Sequence, residues 1–297
     1  MSQPFVSIII PAYNDGPRLT LCLEKLAHQT YPADRFEIIV VDNGSTPPLQ
    51  PFVDPFPNAR AIIETQPGSY IARNKGITAA TGEVIAFTDS DCLPEPDWLA
   101  HGVAAITAAP TIGLVAGRID VFAQDPNRPT LAERYEVVRG FPVQEYIERW
   151  NFGPTANIFT RRDVLEKAGS FDAELKSGGD SEWCKRVHTA GFETHYSEAA
   201  VIRHPARTTV GAIWRKARRV AGGLHDIYKR EHNPATYLRR GFWHDLAPPV
   251  KKTLTLLKLK DQSLVQRLLL VYVEWVYNYG RTYERVRLIL GGDSRRI

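Results

Sequence analysis

Cysteine is scarce in this sequence and methionine scarcer, with three and one among 297 residues. Cys22, Cys92 and Cys184 lie far apart, with no Cys-x-x-Cys pair and no histidine cluster at zinc-finger spacing, which excludes a disulfide framework and a small zinc module. A reduced, cytosolic setting is expected. Met1 to Phe5 leads straight into an apolar run without a basic region and a long apolar stretch, so no cleaved secretion signal is expected and the protein is expected in the cytoplasm. Late in the chain, Leu268 to Val273 is uncharged but is bounded by Arg267 and Glu274, far short of the roughly twenty apolar residues of a spanning helix. No transmembrane anchor is expected. A net charge of +4 is too small to indicate a nucleic-acid partner, and none is expected. There is no internal repeat, no low-complexity tract and no GxGxxG fingerprint of a dehydrogenase.

What is present suffices for a full core, since 43% of residues are hydrophobic and 24% charged. Short β-branched runs alternate with helical spacing, the pattern of an α/β sheet. Strands are expected at Val6–Ile10, which Pro11 ends, and at Phe36–Val41, Ala61–Glu64 and Val84–Thr88, with helices at Arg18–Gln29 and Ser69–Ala80. A helix at Pro96–Ala108 leads to a strand at Gly113–Phe122, a helix around Leu131–Glu148 and a strand at Ala156–Thr160. Helices at Arg162–Ala168 and Ser181–Ala190 and short strands at Glu193–Tyr196 and Ala200–Arg203 complete a domain expected over residues 1–205. A helical extension is expected over 206–297, with segments Val210–Leu224, Ala235–Leu246 and Ser263–Leu290. From Arg203 to Arg240, ten Lys or Arg stand against Asp226 and Glu231, a bias that suits an anionic membrane surface, a phosphorylated substrate or a solvated helix face.

Ligands gather at the carboxyl ends of strands in an open α/β sheet, so the polar residues after Ile10, Val41 and Thr88 are expected to share one crevice. Asp89-Ser90-Asp91 follows the strand Val84–Thr88. Two carboxylates flanking a small residue can reach one polar site, and Mg²⁺ or Mn²⁺ held there would bridge diphosphate oxygens. Alone, the triplet is better read as two turn-forming aspartates. With Arg73-Asn74-Lys75 on the preceding helix and Asp42 in the same inferred crevice, the chain resembles the family 2 glycosyltransferases from about Phe5 to His204. The resemblance implies an α/β chain of GT-A fold, a mixed, mainly parallel sheet flanked by helices, here with the C-terminal helical extension.

Carried over residue by residue, the resemblance makes Pro11, Ala12, Tyr13 and Asn14 a loop that contacts the nucleotide base. Asp42 and Asn43, in Asp42-Asn43-Gly44-Ser45, belong to the next nucleotide-binding loop, where Asp42 would accept a hydrogen bond from a pyrimidine ring N–H and so favour uracil or thymine, as in a UDP-sugar or another pyrimidine nucleotide-sugar. A turn residue ahead of Gly44 is the competing reading of Asp42. Gly68, Arg73 and Asn74 match the segment that approaches base and ribose, with Arg73 also able to pair with phosphate, or else to stand as a surface charge. Asp89 and Ser90 are assigned to the nucleotide, Asp91 to direct metal coordination and His204 to a further metal position, against an ordinary structural histidine.

Inverting sugar transfer needs a base for the acceptor hydroxyl. Phe171-Asp172-Ala173-Glu174 and Gly178-Gly179-Asp180-Ser181-Glu182-Trp183 resemble the acceptor-side motif that ends in the family's catalytic Asp, which makes Asp180 the candidate base. The family commonly has Glu-Asp where this chain has Gly179-Asp180, so a carboxylate that would orient an acceptor or adjust the base is missing here. Capping the helix that follows is the alternative role of Asp180. Trp183 and Asn157 read either as pocket or as core residues, and Arg215, Lys216, Arg218 and Arg219 as candidates for a diphosphate or a lipid-linked phosphate.

The expected activity is transfer of a sugar from a UDP-sugar to a hydroxyl of a glycan, lipid-linked or protein acceptor. A sugar nucleotidyltransferase competes, but Pro11-Ala12-Tyr13-Asn14 stands where its Gly-rich basic loop belongs. A non-catalytic nucleotide-sugar-binding scaffold is the third reading. The C-terminal helices are expected to dock on a membrane, pair two copies or cover the catalytic domain.

Overall fold

The short runs rich in Val, Ile and Phe become neighbouring strands of one sheet. The computed structural model describes residues 3–231, 243 and 246–294. The chain runs β1 (Val6–Ala12), α1 (Gly16–Ala27), β2 (Phe36–Asp42), α2 (Gln50–Val53), β3 (Ala59–Ile63), α3 (Ser69–Ala79), β4 (Val84–Thr88), β5 (Leu93–Pro94) and α4 (Trp98–Ile106). It continues through β6 (Ile112–Phe122), α5 (Leu131–Arg139), α6 (Val143–Trp150), β7 (Asn157–Arg161), α7 (Arg162–Ala168), α8 (Gly179–Thr189) and β8 (Glu193–Pro205). Then come α9 (Val210–Glu231), α10 (Val250–Leu257) and α11 (Leu264–Ile289).

The strand order is β3-β2-β1-β4-β7-β6-β8-β5. β3, β2, β1 and β4 are parallel, whereas β7 is antiparallel to both β4 and β6. This is the mixed α/β sheet expected from the sequence. Ile8, Ile9 and Ile10 of β1 and Ile85 to Phe87 of β4 are completely buried, each large apolar side chain contributing roughly 1.5–3 kcal/mol. Helix α3 packs on β1 and β2, and α4 and α7 pack on β7. The approach of α3 depends on Gly76, where a Cβ would lie 2.4 Å from Ile9 Cγ2.

Several boundaries differ from expectation. Pro11 does not end β1, which continues to Ala12. Pairing with β4 stops at Ile9, and the Ala12 carbonyl faces β2, where it accepts from Asn43 N–H. Pro11 therefore faces the side on which the ladder has ended, and its missing donor is not needed. The helix expected around Leu131–Glu148 is two helices, broken at Gly140 with φ of 59° and by Pro142. The two short strands near 193–203 form one strand, β8, whose polar middle is held by Arg118 of β6 pairing with Glu198 at 2.6 Å. Helices α2 and α10 and strand β5 carry no clear periodic signal in so few residues. The expected helix Ala235–Leu246 lies largely outside the described residues.

Packing divides the chain into two compact units. One comprises Met1–Asp120, Phe141–Ala173 and Gly179–His204, and contains the parallel strands and the triplet. The other comprises Val121–Gly140, Glu174–Gly178 and Pro205–Ile297. It centres on Tyr135, Ile213, Ala217, Leu270, Val273 and Tyr277, where α5, α9 and α11 meet. No described helix is long and apolar enough to cross a membrane.

Candidate active site

β4 ends at Thr88, which places Asp89 at the carboxyl end of a parallel strand, beside the ends of β1 and β2. The loops there are joined by their side chains. Ser90 donates to Asp15 Oδ2 at 3.0 Å, linking the loop after β4 to the loop after β1. Asn14, with φ of 50°, donates its N–H to Ser45 Oγ at 2.8 Å and accepts from Thr46 N–H at 2.9 Å, linking the loops after β1 and β2. The loops that strand polarity was expected to gather therefore lie together, with Tyr13 63% exposed on the β1 side.

The ligand atoms of Asp89, Asp91, Cys92 and His204 all lie within 4.8 Å of one another. His204 comes from β8, and Phe141 packs at a tilt against its imidazole with ring centroids 5.5 Å apart. Burial pushes the Asp91 carboxyl above the usual aspartate range; His204 and Arg18 oppose that rise and Asp89 adds to it. A cation between these groups would relieve the cost of the buried charge. Cys92 is completely buried, burial pushes its thiol well above its ordinary value, and Sγ donates to Asp91 Oδ1 at 3.9 Å. Sulfur is a poor donor for a hard cation, so the effective set is two carboxylates and an imidazole, donors that fit Mn²⁺ or Mg²⁺.

Arg73 reaches this group from α3 and pairs with Asp89. It is 3% exposed, and its Nε has no hydrogen-bond partner among the described residues. The surface-charge reading of Arg73 is thereby excluded. Arg18 of α1 donates to Asp15 Oδ1 at 2.7 Å and lies 3.6 Å from Asp91 Oδ2. Asp15 and Arg18 escaped the sequence reading. Their three-residue spacing at the start of α1 marks a local pair, but nothing in that spacing brings Ser90 and Asp91 to them.

Three nucleotide candidates, Asp42, Asn43 and Asn74, have backbone partners. Asp42 is 4% exposed, its Oδ1 accepting from Ser45 N–H at 2.8 Å and its Oδ2 from Leu49 N–H at 2.9 Å. These are the bonds of the turn role, one backbone N–H to each oxygen, and each oxygen keeps a further lone pair. Asn43 donates to the Glu64 and Gln66 carbonyls at 2.9 and 2.7 Å and accepts from Gly68 N–H at 2.7 Å, so it fixes the loop leading into α3. Gly68, with φ of 149°, occupies backbone space that favours glycine just before that helix. The Asn74 amide is turned to Phe171, donating to its carbonyl at 2.7 Å and accepting from its N–H at 2.9 Å. Asn74 therefore clamps the Phe171 backbone to α3.

Asp180 lies in the first turn of α8, which begins at Gly179, and is not its cap. Its Oδ1 accepts from Ser181 N–H at 3.0 Å and from the Tyr70 hydroxyl at 3.4 Å. Trp183 is completely buried against Phe87 and Phe171, and Asn157 is completely buried between the Trp98 indole and the Arg118 and Ala200 carbonyls. Both are core residues. Within the second unit, Lys216 pairs with Glu136, Arg218 with Glu284, and Arg219 donates to Ser177 Oγ, so these three cations are engaged internally and do not form one phosphate cluster.

The family model for glycosyl transferase family 2 matches residues 7–169. Glycosyltransferase AglE of Haloferax volcanii is 39% identical over 230 residues, 76% of this chain and 74% of AglE. Pre-mycofactocin glycosyltransferase of Mycobacterium tuberculosis is 31% identical over 216 residues, 68% of this chain and 43% of that protein. Among solved structures, mannosyltransferase PcManGT from Pyrobaculum calidifontis, in complex with GDP-Man and Mn²⁺, aligns with a TM-score of 0.61 at 24% identity, covering 97% of this chain and 86% of that one. Residues 1–349 of TarS from S. aureus, in complex with UDP-GlcNAc, align with a TM-score of 0.55 at 19% identity, covering 98% and 93%. The structural likenesses identify the GT-A fold. The family match over more than half of the chain, together with the extended identity to AglE, leads to one conclusion: this chain belongs to glycosyl transferase family 2.

Proposed function

We propose that this glycosyltransferase is an inverting enzyme that moves a sugar from a nucleoside diphosphate-sugar to an acceptor hydroxyl. The convergence of Asp89, Asp91 and His204 beside the buried Arg73 carries the reading. Asp91, His204 and Asp89 would hold Mn²⁺ or Mg²⁺, which when bound supplies positive charge for the departing diphosphate. Asp180 takes the proton of the acceptor hydroxyl as that oxygen bonds to the anomeric carbon; the carbon–phosphate-oxygen bond breaks, and its electron pair leaves with the nucleoside diphosphate. Positioning and fixed charge supply most of the acceleration in such a site.

The preference for uracil rested on Asp42, whose oxygens are engaged by the loop, so the proposal is carried at the level of the nucleotide-sugar. PcManGT was solved with GDP-Man and TarS with UDP-GlcNAc, and both donor types belong in the test. A panel of UDP-, dTDP- and GDP-sugars with Mn²⁺ should give one nucleotide class that raises the melting temperature in a metal-dependent way and releases nucleoside diphosphate. Pyrophosphate release from a nucleoside triphosphate and a sugar phosphate would instead establish a nucleotidyltransferase. Binding without turnover across hydroxyl acceptors of glycan, lipid-linked and protein type would establish a scaffold.

The second unit suits an anionic lipid surface. Leu254, Leu264, Val265 and Leu268 are exposed on α10 and α11, and Lys251, Lys258 and Lys260, near them in sequence, are exposed too, with Asp261 the intervening acid. Apolar side chains flanked by lysines bind a headgroup layer by partial insertion and charge attraction. The protein is expected to co-sediment with phosphatidylserine-containing vesicles and not with pure phosphatidylcholine, and Leu264→Asp with Leu268→Asp is expected to abolish this. A concentration-dependent dimer that the same double variant dissociates, without vesicle binding, would assign the face to a second copy of the chain.

A further inference from the structure

Gly179 precedes the candidate base, and the Tyr70 ring fills the space in front of it. A Cβ at position 179 would lie 2.8 Å from Tyr70 Cε2 and 2.9 Å from Cδ2 and Cζ, closer than such atoms approach. A side chain at 179 and the Tyr70 ring therefore exclude each other. The ring is itself confined. Tyr70 is 7% exposed and stacks on Phe171, with centroids 5.8 Å apart and planes at 26°. The Phe171 backbone is in turn tied to α3 by both ends of the Asn74 amide.

The Tyr70 hydroxyl donates to Asp180 Oδ1, the oxygen that also accepts from Ser181 N–H. Two donors on one oxygen restrict rotation of the carboxylate, which sets the direction of its other oxygen. The Arg73 guanidinium lies 5.9 Å from the Tyr70 ring centroid while pairing with Asp89. Tyr70 and Arg73 are three residues apart, on one face of α3. A single helical turn thus reaches both Asp180 and the triplet.

We infer that Tyr70 is a positioning residue for Asp180, occupying the place left by the missing side chain at 179 and holding the base in register with Asp89. The inference rests on Asp180 being the base, and it gives a physical reason for Gly179 at the point where this chain departs from the family's Glu-Asp.

Tyr70→Phe keeps the ring and removes the donor. The expected result is unchanged melting temperature and donor affinity, kcat lower by about tenfold, and an acid limb of the kcat–pH profile displaced to higher pH, because the carboxylate has lost a hydrogen bond that favours its charged form. Unchanged kcat with an unchanged acid limb would overturn the inference. The steric half is tested by a double-mutant cycle. Gly179→Ala should lower kcat and melting temperature in the wild-type background and have little further effect in Tyr70→Ala, whereas additive losses would overturn it. Full transfer by Asp180→Asn would remove the base reading itself. An inactive Asp180→Asn beside an unaffected Tyr70→Phe would remove only the role of Tyr70.

Discussion

Asp180→Asn is expected to lower kcat by about a thousandfold while donor affinity stays within about twofold, within the span that general-base removal commonly produces. The substitution is isosteric, and the amide oxygen can accept from Ser181 N–H and the Tyr70 hydroxyl as the carboxylate does. The first turn of α8 and the packing of Trp183 behind it should therefore persist, so that the loss is chemical and not structural. What disappears is the capacity to accept the acceptor's proton at neutral pH. Steady-state transfer measured beside calorimetric donor titration separates the two effects. Transfer within about fivefold of wild type would remove Asp180 as base, and a parallel loss of donor binding would place it in the donor site.

Asp91→Ala is expected to eliminate metal-dependent donor binding. Its carboxylate is half-buried, 3.6 Å from Arg18 Nη1 and clustered with Asp89 and His204. Such a group costs free energy to keep charged unless a cation compensates it. Without metal, the variant should therefore melt no lower than wild type, and Arg18 retains Asp15 as partner. With Mn²⁺ at about a hundred times its dissociation constant, the wild-type protein should gain about 2.7 kcal/mol, and the variant almost none. Thermal shift with and without metal, followed by donor titration in each state, reads both differences. A metal-dependent increment retained in Asp91→Ala would remove this residue from the metal set.

The elements most legible in the sequence were those governed by local chemistry. Val84–Thr88 is bounded by Thr81-Gly82 on one side and Asp89 on the other, and its structure has the expected limits. Pro11 misled because local rules count its missing donor without knowing that β4 no longer pairs there. Asp42 divided two readings that local sequence could not separate, since Ser45 N–H and Leu49 N–H reach it through the curvature of the loop. Asn74 looked like part of a nucleotide-binding run, yet its amide meets the Phe171 backbone, far along the chain.

The sequence by itself determined the alternation of strands and helices, the strand-end placement of Asp89-Ser90-Asp91 and the family to which the chain belongs. These follow from apolar periodicity, turn residues and motif order, which act over a few residues at a time. Tertiary structure decided which polar groups meet: Arg73 with Asp89, Arg18 with Asp91, His204 with the triplet, and Tyr70 with both Gly179 and Asp180. Those meetings depend on strand order and on how closely α3 approaches β1, and contacts between segments distant along the chain leave no periodic trace within either segment.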